Sequence, residues 1–284
     1  MFLDLGAPIQ SGVNSLVDWL VSNHGDRFEA VAKALLVPLV ALEQALRAAP
    51  AWAVILVVGA LAYAAGRRLA PALAVMGCVY AVGCLGLWDQ AMQTVALMLV
   101  SVALAVLLGL PLGILTARSA PARALVAPVL DLMQTIPSFV YLIPAAMLFG
   151  LGKVPAILAT VVYATPPLVR LTDLGLRLVD REAVEAGRSF GATRLQVLGT
   201  VQLPLALPSI MQGVNQSTMM ALGMVVIASM IGARGVGETV LVGLQRADSG
   251  QGFVGGLAIV ILAVVFDRIT QAFGRRLQPA RARA

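Results

Sequence analysis

The run MQTVALMLVSVALAVLLGLPLGILTA, Met92–Ala117, contains 26 residues and no charged side chain. A helix needs about 20 such residues to cross the hydrocarbon core of a bilayer. The whole chain is 60% hydrophobic and 12% charged, roughly half the charge of a soluble domain. The sequence therefore predicts an all-α fold, a polytopic helical bundle embedded in a lipid bilayer.

Six further runs share this apolar character, which gives about seven predicted spans. They are Ala51–Ala65, Leu69–Trp88, Ala124–Phe149, Val154–Leu171, Leu205–Ile231 and Phe253–Phe273. The run Ala124–Phe149 also carries three prolines and Asp131. Two interpretations of Asp131 stay open, a helix-end residue near the headgroups or a polar group that faces the interior of the bundle.

The basic residues predict the orientation of the chain. With the C-terminus inside, fourteen of the 20 lysines and arginines fall on cytoplasmic segments and six on external ones. Cytoplasmic loops carry the excess of basic residues, so the N-terminus is expected outside and the C-terminus inside. This arrangement accounts for the net charge of +6 without a nucleic-acid surface, and no nucleic-acid partner is expected.

One polar loop between the fifth and sixth runs stands apart from the rest of the chain. It reads DREAVEAGRSFGATRLQVLGTVQLP, residues 180–204, and is called the knuckle below. Gly191 can take the left-handed conformation that ends a helix, and Thr193 can cap the next one. Pro204 and Pro208 suit the first turn of a following span. The pattern predicts two short helices fixed directly to a membrane helix.

The knuckle resembles the coupling motif of type I ABC importer permeases. That motif has Glu-Ala-Ala, three residues, Gly, nine residues and Ile-x-Leu-Pro. The matching residues here are Glu185, Ala186, Gly187, Gly191, Val201, Leu203 and Pro204. Gly187 stands where the family has Ala, and Val201 where it has Ile. The resemblance implies that Glu185, Ala186, Gly187, Gly191, Leu203 and Pro204 couple the chain to an ATPase.

Two longer stretches, residues 131–144 and residues 201–271, resemble the permeases for glycine betaine, proline betaine and choline. The resemblance implies a multi-pass protein of the bacterial inner membrane with three kinds of protein partner. These are an ATP-binding subunit, a periplasmic substrate-binding protein and a second permease copy. Helical periodicity, the apolar runs and the resemblance together divide the chain into four parts. These are an amphipathic N-terminal region, periplasmic or interfacial (1–50), two accessory transmembrane helices (51–88), a permease core (89–273) and a basic cytoplasmic tail (274–284).

Polar residues inside the sixth apolar run are candidates for a transport pathway. Asn215, Gln216 and Thr218 must find partners away from lipid, so they are expected to face the bundle or a dimer axis. Tyr141 could offer a cation–π surface to a quaternary ammonium, with plain packing as the alternative.

No catalytic or metal-binding residues are predicted. The only lysines, Lys33 and Lys153, do not belong to a phosphate-binding loop, so ATP is expected on the partner ATPase and no cofactor on this chain. The alternative function is an ion-coupled secondary transporter or channel, which would use carboxylates inside the membrane. Asp131 is the best candidate for such a carboxylate. Asp267 is more simply interpreted as forming an ion pair with the adjacent Arg268 at the level of the lipid headgroups.

Overall fold

The computed structural model of the chain describes residues 6–276, and the regular structure of these residues is helical throughout. The α-helices are α1 (Gly6–Ala48), α2 (Ala51–Gly66), α3 (Leu69–Cys84), α4 (Trp88–Arg118), α5 (Ala120–Thr135), α6 (Leu142–Phe149), α7 (Lys153–Arg177), α8 (Arg181–Ser189), α9 (Arg194–Val197), α10 (Leu203–Ala228), α11 (Val236–Gln245) and α12 (Ser249–Arg276). The predicted all-α bundle is therefore confirmed. The expectations for residues 1–5 and 277–284 lie outside the described residues.

Each of the seven predicted apolar runs falls on helix, but they do not all form straight spans. α4, α7, α12 and the segment Arg194–Ile231 are each long and apolar enough to cross a membrane. α3 has 16 residues, which is short of the roughly 20 that a perpendicular span needs. The count of about seven spans and the orientation stay predictions.

The predicted fourth span is broken in two. The helix axis turns by 109° between α5 and the segment Ser138–Phe149. Ile136 at the break is extended, with φ −71° and ψ 127°, because the ring of Pro137 disfavours helical geometry in the preceding residue. One turn earlier, the side chain of Asp131 is 68% exposed and forms an ion pair with Arg170 of α7.

The N-terminal region forms one long helix with a kink, α1. Its backbone leaves helical geometry at His24, with φ −130° and ψ 17°, and its axis meets α2 at 110°. The C-terminal part packs on α4, α6 and α7. An ion pair of 2.5 Å joins the buried Glu43 to Lys153 at the start of α7, and a second of 2.5 Å joins Arg47 to Asp89 of α4.

Helix α7 lies at the centre of the bundle, between α4 and α10. Small residues allow the close approach of these three helices. A Cβ atom on Gly113 of α4 would lie 2.6 Å from the Cβ atom of Thr172, and one on Gly175 of α7 would lie 2.6 Å from the Cβ atom of Ser209. These contacts fix the relative positions of the ends of α4 and α7, next to which the knuckle begins.

Candidate coupling surface and transport pathway

The first half of the knuckle is a capped helix that ends in a glycine turn. Asp180 caps α8, and its Oδ1 atom accepts a hydrogen bond of 2.9 Å from the Glu182 amide. Gly191 has φ +81°, and its amide donates to the Arg188 carbonyl at 2.8 Å. The predicted left-handed turn at Gly191 is therefore present. Glycine has no Cβ atom and adopts this backbone region without the strain that other residues incur.

The second half of the knuckle runs into the membrane helix without a break. Thr193 forms a capping box with Gln196, in which the Thr193 amide donates to Gln196 Oε1 at 2.8 Å and the Gln196 amide donates to Thr193 Oγ1 at 3.4 Å. A wide π turn, Leu198–Gln202, then joins α9 to α10.

Pro204 lies in the first turn of α10, as predicted, whereas Pro208 lies inside the helix. Pro208 has no amide hydrogen to donate, and its ring crowds the preceding turn. Irregular turns such as the preceding π turn occur where the regular ladder of hydrogen bonds cannot continue. The knuckle is thus mechanically continuous with α10.

The three residues at the start of the coupling motif lie on different sides of α8. A Cβ atom on Gly187 would lie 3.4 Å from Val201 Cγ2, so Gly187 faces the π turn. Ala186 is exposed on the outer side, and Glu185 lines a cavity between α8 and the ends of α4 and α7. Leu203 and Pro204 hold the start of α10.

Two apolar side chains of the knuckle extend into open space, and the motif alone did not single them out. Phe190 is 92% exposed and Leu195 is 71% exposed. Large apolar side chains that are this exposed outside the apolar runs indicate a contact surface for another protein. The sequence carried no signal that separates them from the other apolar residues of the knuckle, such as Val197 and Leu198, which are buried.

The predicted pathway residues of α10 separate into buried and exposed positions. Asn215 and Thr218 are 7% and 3% exposed, and Thr218 Oγ1 donates to the Val214 carbonyl at 2.7 Å. Gln216 is exposed. Of these three side chains, therefore, only Gln216 lies on an open face of this chain.

The buried Asn215 belongs to a polar network that joins α10 to α12. Its Nδ2 atom donates to Asp267 Oδ1 at 3.1 Å, and Gln271 Nε2 donates to both oxygens of Asp267 at 2.7 and 2.8 Å. Thr270 also donates to Asn215 Oδ1. The expected pair of Asp267 with Arg268 does not form among the described residues, because amide donors on the inner side of the helix satisfy the carboxylate.

One side of α10 carries a stripe of exposed residues along most of its length. The stripe consists of Leu205, Gln212, Gln216, Gly223 and the following Met230. These positions are separated by four or seven residues, so they share one face of the helix. Gln212 lies one turn from Gln216 on this face and was not among the predicted pathway residues.

Tyr141 lies beside the break in the predicted fourth span. Its hydroxyl donates to the Met133 carbonyl, and its ring centroid lies 6.2 Å from that of Tyr163 at an interplanar angle of 52°. The tyrosine thus ties the two sides of the break together.

Comparison with known proteins identifies the class to which this arrangement belongs. The glycine betaine/proline betaine transport system permease protein ProW of Escherichia coli (strain K12) is 46% identical over 268 residues, which cover 94% of this chain and 75% of the relative. The glycine betaine transport system permease protein OpuAB of Bacillus subtilis (strain 168) is 40% identical over 264 residues, 93% of each chain.

A solved structure shares the fold. In inward-facing crystals of the MetNI methionine ABC transporter, a chain superposes with a TM-score of 0.61 and 23% identity, over 66% of this chain and 94% of that one. The family described as binding-protein-dependent transport system inner membrane component matches residues 109–279, which include the knuckle and all of α10. The chain belongs to this family, the membrane-spanning permease subunits of ABC importers.

Proposed function

We propose that this permease imports a quaternary ammonium solute such as glycine betaine, proline betaine or choline with energy from ATP. The observation that carries the proposal is the continuity of the knuckle with α10. A rigid element that projects from the bundle and continues into a membrane helix can transmit an external force to that helix. The substrate class rests on the names of the relatives at 46% and 40% identity.

The ATPase is a separate ATP-binding subunit that docks on the outer side of the knuckle. Glu182, Ala186 and Phe190 follow one another at intervals of four residues on this side of α8, and all three are exposed. Phe190 and Leu195 supply the apolar area that a stable docking contact needs. Glu185, Gly187, Gly191, Leu203 and Pro204 act behind this surface, where they hold the shape of the knuckle.

The pathway runs between this chain and a second permease copy. The exposed stripe of α10 carries two neutral amides, Gln212 and Gln216, on a helix that is otherwise apolar on this face. Amide groups in a membrane helix need a polar partner or water, and a solute path between two copies supplies both. In this arrangement Asn215 and Thr218 support the helix from behind, and Tyr141 braces the adjacent break.

The last part of the proposal is the orientation of the chain in the membrane. The knuckle faces the cytoplasm, and the N-terminal region, residues 1–50, lies on the periplasmic side or in its interface, where a periplasmic substrate-binding protein delivers the solute. Residues 51–88 are accessory to a core of residues 89–273, and residues 274–284 form a basic cytoplasmic tail. ATP-driven closure of the ATPase pair moves the two knuckles, and the path between the two copies alternates between outside and inside.

The test is uptake of radiolabelled glycine betaine and choline into proteoliposomes that hold the permease, its ATPase and its substrate-binding protein. Gly191→Pro fixes φ near −65° and is incompatible with the observed +81°, so uptake is expected to be lost. Gly191→Asn is the matched control, because Asn tolerates the left-handed region, and it is expected to keep most of the uptake. Glu185→Arg is expected to lose uptake as well.

Size-exclusion profiles and helical circular dichroism establish that each variant is folded. Uptake by the permease alone, driven by an ion gradient and indifferent to Gly191→Pro, would overturn the proposal and favour a secondary transporter.

A further inference from the structure

A cavity of ≈ 400 Å³ lies behind the knuckle, between α8 and the ends of α4 and α7. Four arginines from these three helices line it, together with one carboxylate. Arg118 is the last residue of α4, Arg177 is the last residue of α7, and Arg181, Glu185 and Arg188 lie on one side of α8. The lining charges therefore sum to a positive excess.

Most of this charge has no ion-pair partner among the described residues. Arg177 forms an ion pair of 2.8 Å with Asp173. Within residues 6–276, no carboxylate oxygen lies within the 4.0 Å limit of an ion pair from Arg118, Arg181 or Arg188. Glu185 lies on the same side of α8 but does not pair with either arginine of that helix. Three arginines thus line one cavity and have no carboxylate partner among residues 6–276, so the positive charge at this place attracts anions.

The position of the cavity indicates where such an anion comes from. Arg118 and Arg177 end two helices that are long and apolar enough to cross a membrane, so the cavity begins where those helices leave the apolar layer. The side of α8 that lines it differs from the side that carries Glu182 and Ala186, although both sides are exposed. An anion could therefore enter without displacing a protein bound to the outer side of the knuckle.

We propose that this cavity, called the arginine cavity, binds a phosphate group, with Arg118, Arg181 and Arg188 as its ligands. The planar guanidinium fork matches the geometry of phosphate oxygens and forms paired, charge-assisted hydrogen bonds with them. Basic pockets between membrane helices at the cytoplasmic surface bind lipid headgroups, and a free phosphate ion has the same chemistry. Bound phosphate would bridge α8 to the end of α4. The inference concerns binding by this chain and stands whichever solute is carried.

The experiment uses the purified full-length chain in a neutral detergent and measures binding by microscale thermophoresis. The probes are a short-chain phosphatidylglycerol, the matching phosphatidylcholine and inorganic phosphate. The test variant is the triple substitution of Arg118, Arg181 and Arg188 with Gln. The matched control replaces Arg67, Arg68 and Arg194 with Gln, which removes the same charge from outside the cavity.

Phosphatidylglycerol is expected to bind the wild type and the control alike, and the cavity variant about tenfold or more weakly, because hydrogen bonds to charged groups are lost. Phosphatidylcholine is expected to bind none of them, since its headgroup has no net charge. If inorganic phosphate also binds the wild type and the control but binds the cavity variant more weakly, a free anion is a ligand. Phosphate that does not bind, while phosphatidylglycerol does, identifies the lipid headgroup.

A second variant separates binding from folding. Glu185→Gln removes the only carboxylate among the described residues that line the cavity. It is therefore expected to tighten phosphate or phosphatidylglycerol binding several-fold, a gain that a folding defect cannot produce. Equal loss of binding in the cavity variant and the charge-matched control would overturn the proposal, because the arginines would then act only as a diffuse positive surface. Failure of both anions to bind the wild type would overturn it as well.

Discussion

Replacement of Gly113 by Ala tests the close contact between α4 and α7 that positions the knuckle. The new Cβ atom would lie 2.6 Å from Thr172 Cβ, 2.8 Å from Thr172 Cγ2 and 2.9 Å from the Val169 carbonyl oxygen. Ordinary contacts of this kind begin near 3.4 Å. The Val169 carbonyl and the Thr172 Cβ atom are both fixed to the backbone of α7 and cannot rotate away. The two helices must therefore separate by up to about 0.8 Å in a close-packed core to bring the 2.6 Å contact to an ordinary 3.4 Å.

The expected loss of stability follows from two opposing effects. Overpacking of a core costs about 1–3 kcal/mol, and the upper part of that range applies where backbone is the obstacle. Ala is the better helix former by about 1 kcal/mol, which offsets part of the cost. The net expectation is a loss of roughly 1–2 kcal/mol, or a midpoint lowered by roughly 2–8 °C for a chain of this size.

The measurement is a thermal denaturation series of the detergent-solubilised chain, followed by the monodisperse peak in size-exclusion chromatography. The matched control is Gly77→Ala in α3, where a Cβ atom meets nothing within 4 Å. This control keeps the gain in helix propensity without the steric conflict, so it is expected to equal or exceed the wild type. A Gly113→Ala protein as stable as the Gly77→Ala control would refute the close contact between α4 and α7.

Three further predictions use other parts of the bundle. Gly187→Ala is expected to raise stability by up to about 1 kcal/mol and to preserve uptake, because its Cβ atom meets the π turn at an ordinary 3.4 Å; melting curves and proteoliposome uptake check this. Lys153→Met removes the 2.5 Å partner of the buried Glu43 carboxylate and leaves it the longer ion pair of 3.6 Å with Arg47, so the melting midpoint is expected to fall. The additional change Glu43→Gln is expected to restore part of the loss, since a poorly compensated buried charge is the main cost. Asn215→Ala removes a buried hydrogen-bonding group and is expected to lower the free energy of unfolding by about 1–3 kcal/mol, as measured by melting experiments. Gln216→Ala on the exposed stripe is instead expected to alter uptake with little change in the melting midpoint.

The helices were predictable from the sequence because apolar runs and capping residues act locally. Each of the seven apolar runs lies on helix, and Gly191 and Thr193 form the turn and the cap that their residue types favour. The break at Ile136–Pro137 was also visible as a proline in the sequence. The size of the bend was not predictable, because proline in a membrane helix is compatible with either a mild kink or a complete break. Packing against neighbouring helices decides between them.

The partners of the polar residues were not predictable, because they depend on tertiary contacts. Asn215 and Asp267 are 52 positions apart in the sequence, and no local pattern shows that they meet. The sequence identified Asn215 as a polar residue that must avoid lipid, which is correct, but whether it faces α12 or an open pathway depends on the rotation of α10 in the bundle. The same rotation exposes Gln216 and Gln212.

The arrangement of rigid and irregular segments limits which parts of the bundle can move in response to the knuckle. α4, α7 and α10 interlock at Gly113, Gly175 and Gly213, where any added Cβ atom meets a neighbour within 3.2 Å, so sliding between these helices would force steric overlap. The loop between α6 and α7 contrasts with this, since Gly150 and Gly152 have φ of +74° and +119° and a Cβ atom on either meets nothing within 4 Å. A force applied to the knuckle is therefore expected to displace the three interlocked helices as one body, with the change in backbone angles taken up at the α6–α7 loop and at the break before α6.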